Sequence, residues 1–219
     1  MKPINDMCSL EIDKFISKLL FFIKNQPITL TEHVKWKHPN NVYLILISCL
    51  LSLRARDVVT WPVAHKFFKT MQSPEEMVQL SIQEIEQAIK SINFYKRKAQ
   101  VLYQVSTDIL EKHDGKVPRT ESELLALPGV GIKTANLVLA EGFGIPAICV
   151  DTHVHRLSNR WGFVKTKTAE ETEKALRKVL PQKYWTDWNR LIVVVGQNLC
   201  TARCKGCEIC TYFDSPTSS

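Results

Sequence analysis

The chain has 219 residues, 45% of them hydrophobic and 23% charged, a globular composition that excludes a disordered or fibrous chain. Lys and Arg outnumber Asp and Glu by 29 to 22, leaving a formal charge of +7, which suits a polyanionic partner as well as a merely soluble basic protein. The longest apolar run, Val42 to Leu53, is shorter than the ~20 residues a membrane-spanning helix needs, and MKPINDMCSLEIDK has no apolar core behind its basic start, so neither a span nor a secretory signal is expected.

Helical spacing dominates from the first element onward. Leu10, Ile12, Phe15, Ile16, Leu19, Leu20 and Ile23 recur at helical intervals and predict a helix over Ser9–Ile23. Asn41–Leu53 is apolar all round, the pattern of a buried helix. Pro62 is expected to kink or restart the helix that follows Asp57. Capping boxes pair Ser73 with Glu76 (Pro74 at the first helical position), Ser81 with Glu84, Thr120 with Glu123 and Thr168 with Glu171. Further helices fit Lys96–His113, Ile132–Glu141, Thr152–Trp161 and Tyr184–Leu199. Strand-like composition is confined to Ala147–Val150 and Leu191–Val195, both short and both beside helical patterns. The last seven or so residues look frayed. The expected fold class is all-α, with about ten helices joined by short turns.

Leu124–Leu139 reads LLALPGVGIKTANLVL. Proline ends one apolar helix, and Gly129, Val130 and Gly131 bend the chain into the next. Glycine at two of these positions removes the Cβ atoms that would hold a ligand off the backbone. A helix start whose N–H groups point into such a bend can bind an anion, phosphate above all. A P-loop would need glycine before the lysine, where Ile132 stands. A dinucleotide fingerprint would need a preceding strand and a third glycine. What fits is a helix-hairpin-helix, which grips a nucleic-acid backbone without reading sequence; standing alone, it would read as a glycine-capped turn. Lys133 sits in the first turn of its second helix. The positive end of a helix disfavours an ammonium and favours the free amine a nucleophile needs, although a lysine here could also contact phosphate. Asp151 precedes the helix Thr152–Trp161, where an N-cap carboxylate stays ionised, and capping alone would explain the residue.

Four of the seven cysteines, Cys200, Cys204, Cys207 and Cys210, fall close together near the C-terminus, while Cys8, Cys49 and Cys149 are scattered. The close group reads as a metal site in a reducing compartment rather than a disulfide framework. Its compact run suits a [4Fe–4S] cluster. Zinc, which usually takes two cysteine pairs separated by a longer loop, is the alternative.

LPGVGIKTAN, then VDTHVHR roughly twenty residues on, then the cysteine group together resemble the helix-hairpin-helix DNA glycosylases, and within them the endonuclease III group, over about residues 30–210. The resemblance implies an enzyme that flips a damaged base out of duplex DNA. Lys133 would attack the sugar C1′, expel the base and form a Schiff base that permits β-elimination. Asp151 would stabilise the cationic sugar and assist proton transfer. Relatives that only remove the base lack this lysine, so its presence implies a bifunctional glycosylase/AP lyase, with oxidised pyrimidines as the implied lesions. His153 and His155 face different ways on one helix; either could line the pocket, and a structural role is the expectation for each. The cysteine spacing departs from the family's C-x6-C-x2-C-x5-C, and the shortened first loop leaves only Arg203 and Lys205 as basic residues for DNA.

Two segments resemble loops with which the family plugs the hole left by a flipped base. Leu51–Asp57 carries Arg54 where many members have glutamine, followed by Arg56. Asn93–Ala99 begins with asparagine where glycine is usual, and Asn93 is expected to take the positive φ. Phe94 would be the intercalating wedge, unless it is a core residue. Arg54, Arg56, Lys96, Arg97 and Lys98 would line one basic surface. The expected organisation is a six-helix lobe over 36–145 that contains the hairpin, and a second lobe from 1–35 plus 146–219 that contains the cysteines. Lys133 and Asp151 would come one from each lobe, with the active site in the cleft between them. The expected partner is duplex DNA and the expected state a monomer. A monofunctional mismatch or alkylated-base glycosylase and a non-enzymatic damage-binding module remain alternatives.

Overall fold

The computed structural model describes residues 9–214, with side chains from 11 to 211; Cys8 and residues 215–219, part of the stretch expected to fray, lie outside the described residues. Among the described residues the chain is helical throughout and has no strand, and no helix is long and apolar enough to cross a membrane. The chain divides into a contiguous unit, Thr29–Ile145, and a discontinuous one made of residues up to Ile28 and from Pro146 onward.

The contiguous unit is built around α3 (Val42–Ser52), whose residues from Tyr43 to Leu51 are all buried. Packed on it are α2 (Leu30–Lys37), α4 (Asp57–Phe67), α7 (Tyr95–Lys112) and α9 (Ile132–Leu137). Two short helices, α5 (Pro74–Val78) and α6 (Ile82–Ile89), lie against α7. They bring Met77, Ile85 and Ile89 into a core with Leu102, Val105 and Ile109. The six-residue α8 (Glu121–Ala126) leads into α9. The unit begins at Thr29, where the sequence suggested about 36, because Leu30 and Val34 of α2 are buried. The boundary signal was a capping box: Thr29 Oγ1 accepts from the N–H of Glu32, and the Glu32 carboxylate accepts from that of Thr29.

The four expected caps form in different ways; Thr120 Oγ1 accepts from the N–H of Glu123 and donates to its carboxylate. Ser81 and Glu84 close a full box. Ser73 and Thr168 cap the third N–H, but Glu76 and Glu171 reach one residue further back, to the N–H groups of Gln72 and Lys167. Pro62 neither ends nor restarts a helix: α4 runs through it. The carbonyl it leaves without an i+4 donor belongs to Val58, which is 76% exposed and can be solvated. The helix expected over Ile132–Glu141 divides into α9 and a π-helical turn, Val138–Gly142.

The discontinuous unit packs α1 (Ser9–Ile23) and α10 (Thr152–Arg160) on α12 (Trp185–Asn198), with α11 (Ala169–Val179) on α10. Phe15 meets Trp161, Phe163 and Trp188 at ring-centroid distances of 5.9, 4.6 and 5.8 Å. Cys200, Ile209 and Cys210 belong to this same core, which anchors α13 (Glu208–Asp214) in the unit. Ala147–Val150 is buried but pairs with no strand; the Cys149 carbonyl accepts from the Asn189 side chain at 3.0 Å. Leu191–Val195 lies inside α12, where its β-branched residues face the core on a helix rather than a sheet.

Candidate active site

The hairpin forms from Leu127 to Gly131. Leu127 is extended, and the N–H of Val130 donates to the Leu127 carbonyl at 3.2 Å, closing the turn. Gly129 has φ +73, and a Cβ there would stand 2.8 Å from Val101 Cγ1 on α7, so glycine is required for both conformation and packing. Gly131 is different: its φ of −101 is ordinary, and a Cβ would meet nothing within 4 Å. Both glycines are exposed, whereas Val130 turns its side chain inward. Gly131 is the N-cap of α9, and no side chain caps this helix start. The helix therefore presents its positive end beside open space. Lys133, its second residue, is exposed. The buried thiol of Cys49 is pushed up to about 12 by burial, against the lowering effects of a Thr31 hydrogen bond and of the Lys133 charge, and stays neutral.

In the discontinuous unit Asp151 is the N-cap of α10. Its Oδ1 accepts from the N–H groups of His153 and Val154, each at 2.9 Å. Those bonds fix the carboxylate at the positive end of the helix. His155 Nδ1 lies 2.7 Å from Thr172 Oγ1, in a network with Asn159 and Thr166. His153 lies over Gly196 of α12, where a Cβ would come within 2.6 Å of its Nδ1. Both histidines have structural contacts.

The two expected plugging segments carry backbone strain. Arg54 has φ 54 and Phe94 has φ 61, a left-handed conformation that costs a non-glycine residue about 1–2 kcal/mol. Positive φ thus falls on Phe94 and not on Asn93. Phe94 is 61% exposed, so it is no core residue. Arg54, Arg56, Lys96 and Arg97 are exposed as well. Lys98 is not: it is 8% exposed, and its Nζ donates to the Leu51 carbonyl at 2.5 Å. The expectation that it lines a basic surface is corrected. At the fourth position of α7 it points into the unit, toward the C-terminal end of α3, whose unpaired carbonyls attract a cation.

The Sγ atoms of Cys200, Cys204, Cys207 and Cys210 lie within 4.8 Å of one another. Four thiols converging on one point, two buried and two partly exposed, can hold a metal centre. Arg203, in the loop between the first two, is exposed.

Residues 47–182 match the family model of the HhH-GPD superfamily base excision DNA repair proteins. The chain belongs to the HhH-GPD superfamily. It is 44% identical to the endonuclease III of Thermotoga maritima over 168 residues, 77% of this chain and 79% of that one. To the endonuclease III of Escherichia coli K12 it is 36% identical over 191 residues, 87% and 89% of the two chains. Among solved structures it superposes on a non-covalent endonuclease III–DNA complex with TM-score 0.78 and 32% identity, covering 90% of each chain. A trapped endonuclease III–DNA covalent intermediate gives TM-score 0.78 and 29% identity, over 94% of this chain and 98% of the other.

This HhH-GPD chain also carries site residues that sequence reasoning missed. The Arg160 guanidinium donates to Cys200 Sγ at 3.2 Å and to the Thr201 and Cys204 carbonyls. Arg156 donates to the Cys200 and Gly196 carbonyls at 2.8 and 3.3 Å. Together they tie α10, whose first residue follows Asp151, to the cysteine loop. Their only signal was a four-residue spacing, which puts both on one face of α10.

Proposed function

We propose that this chain is a bifunctional DNA glycosylase/AP lyase of base excision repair, acting on duplex DNA that carries a damaged base, an oxidised pyrimidine above all. The observation that carries the proposal is an exposed Lys133 in the first turn of the hairpin's second helix, in a chain 44% identical to an endonuclease III.

The roles follow from the chemistry. The Lys133 amine attacks C1′ of the damaged nucleotide; the glycosidic bond breaks and the base leaves with a proton. Ring opening yields an iminium. Loss of a C2′ proton then breaks the C3′–O bond and releases the phosphate, and water returns the free lysine. Asp151, fixed in place by two N–H donors, stabilises positive charge developing on that sugar and relays protons. Gly129 and Gly131 let a phosphate approach the start of α9. Arg54 and Phe94 fill the space of the extruded base, and Arg56 and Arg203 contact the backbone.

The four cysteines hold a [4Fe–4S] cluster in this reading. The run C-x3-C-x2-C-x2-C lacks the long loop between pairs typical of structural zinc, and the Arg160 bond to Cys200 Sγ suits a thiolate ligand. The centre is a structural clamp, since Cys200 and Cys210 lie in the core with residues of α1. Brown colour with iron and acid-labile sulfide is expected; colourless protein with one zinc is the contrary result.

Borohydride trapping on a duplex with a single abasic site tests the function. The enzyme should form a covalent adduct that Lys133→Ala abolishes. A glycosylase that only removes bases gives no adduct, and a damage-binding module leaves the DNA intact.

A further inference from the structure

Lys98 is the buried cation of the contiguous unit, and it joins two segments that are 47 residues apart in sequence. Its backbone belongs to the first turn of α7, four residues after Phe94, and its own N–H donates to the Phe94 carbonyl at 3.0 Å. Its ammonium donates at 2.5 Å to the carbonyl of Leu51, three residues before Arg54. Each end of this link thus lies within one helical turn of an exposed residue held at positive φ.

The link spans a costly piece of structure. Arg54 and Phe94 are both left-handed. Between Leu51 and Arg54, the Ser52 hydroxyl is buried with no hydrogen-bond partner. Phe94 caps α7 without a side-chain bond. Such features persist only where the surroundings over-determine them, and nothing on the solvent side of an exposed Arg54 or Phe94 does so. The Lys98 bond fixes the last turn of α3 relative to the first turn of α7 from inside.

We infer that Lys98 is a positioning residue whose side-chain bond to the Leu51 carbonyl holds Arg54 and Phe94 as one preformed plug for the space vacated by an extruded base. This deepens the glycosylase/lyase reading and rests on it. A plug pinned at both roots loses less freedom when it enters the duplex, so the link should appear in steps that need insertion and vanish where no partner strand exists. Burial pushes the Lys98 ammonium down to about 8, which agrees with an enclosed group.

Two substrates separate this role from a merely structural one. A lesion duplex requires plugging; a single-stranded oligonucleotide with an abasic site does not. Lys98→Met, close in length but without a donor, should lower kcat/KM on the lesion duplex about tenfold, mostly through KM. It should also remove the fluorescence rise of a 2-aminopurine placed opposite the lesion. Borohydride trapping on the single strand should proceed at the unaltered rate, and Lys98→Arg should restore most of the duplex activity. Equal duplex activity in Lys98→Met, or equal losses on both substrates, would overturn the inference. If Lys98→Met unfolds at the assay temperature, Lys98→Gln replaces it, with at least a threefold duplex loss and no single-strand loss expected. No adduct from the unaltered enzyme on either substrate would instead refute the lyase reading itself.

Discussion

The two glycines of the hairpin permit a sharp comparison, because the same methyl group should do opposite things at each. At Gly129 alanine meets φ +73 and a Val101 methyl at 2.8 Å. The backbone term alone is about 1–2 kcal/mol. Relieving the contact requires α7 or the hairpin to shift, for about 1–3 kcal/mol more, so Gly129→Ala should lose about 2–5 kcal/mol of stability. At Gly131 the backbone is extended and the added methyl meets nothing within 4 Å. Restricting the unfolded chain gains about 0.4–1 kcal/mol, and exchanging glycine for alanine at an N-cap costs a similar amount. Gly131→Ala should therefore leave stability within about 0.5 kcal/mol. Its effect should fall on DNA, because the methyl would occupy the space through which a phosphate approaches α9. A tenfold weaker Kd for an abasic duplex, about 1.4 kcal/mol, is expected. Urea unfolding and a fluorescence-anisotropy titration at fixed salt measure the two quantities. Unchanged affinity in a stable Gly131→Ala protein would refute the assignment of this helix start as the phosphate site.

Asp151→Asn should keep the N-cap, because asparagine caps as well as aspartate, and lose no more than about 1 kcal/mol of charge–dipole energy; strand nicking in single-turnover assays should fall by about 10²–10⁴. Phe94→Ala should change stability by less than about 0.5 kcal/mol, since the ring is 61% exposed, but should lower turnover on a lesion duplex while sparing trapping on a single-stranded abasic site. Lys98 has a folded pKa of about 8 against 10.5 for the free side chain, so between these values the unfolded chain binds a proton that the folded one does not, and stability rises with pH. Relative to Lys98→Met, the unaltered protein should gain up to about 3 kcal/mol from pH 8 to 10.5 in denaturant titrations, and a falling difference would contradict the burial. Cys207→Ser should release the metal and lower the thermal midpoint by loosening α13, read by metal analysis and calorimetry on the same sample.

The helices were legible because each carried a local signal that tertiary packing had no reason to override. Ser81-x-x-Glu84 closes as written, and α3, apolar on every face, is buried on every face. Pro62 does not restart α4, because the carbonyl it frees belongs to the exposed Val58 and can be solvated. The residues proposed to carry the chemistry stand out in the sequence as motifs: hairpin glycines, Lys133, Asp151 and four close cysteines, of which the structure brings the cysteines together. Lys98 was misread because a sequence shows a charge and its helical position, not which way the first turn of α7 faces. In the run Lys96-Arg97-Lys98 the three side chains point 100° apart, and one of them faces inward. The αL residue was placed one position early for a similar reason: asparagine tolerates positive φ better than phenylalanine, but the N-cap of α7 falls on Phe94, and the helix start decides which residue is strained.

The two lysines show why a perturbed pKa does not by itself identify a nucleophile. Depression of an ammonium toward neutrality is the usual sign of a catalytic lysine, and in this chain that sign falls on Lys98. Its geometry forbids the role. An amine that must attack C1′ needs a lone pair facing a deoxyribose, whereas Lys98 is 8% exposed and directs its Nζ at a main-chain carbonyl 2.5 Å away. Burial that would activate the nitrogen also removes it from any substrate. Lys133 meets the opposite condition: it is open to solvent in the first turn of α9, beside the exposed glycines of the hairpin. Access decides first and basicity second, so activity should follow Lys133 even in a Lys98→Met background. An adduct lost in that background and kept in Lys133→Ala would reverse the assignment.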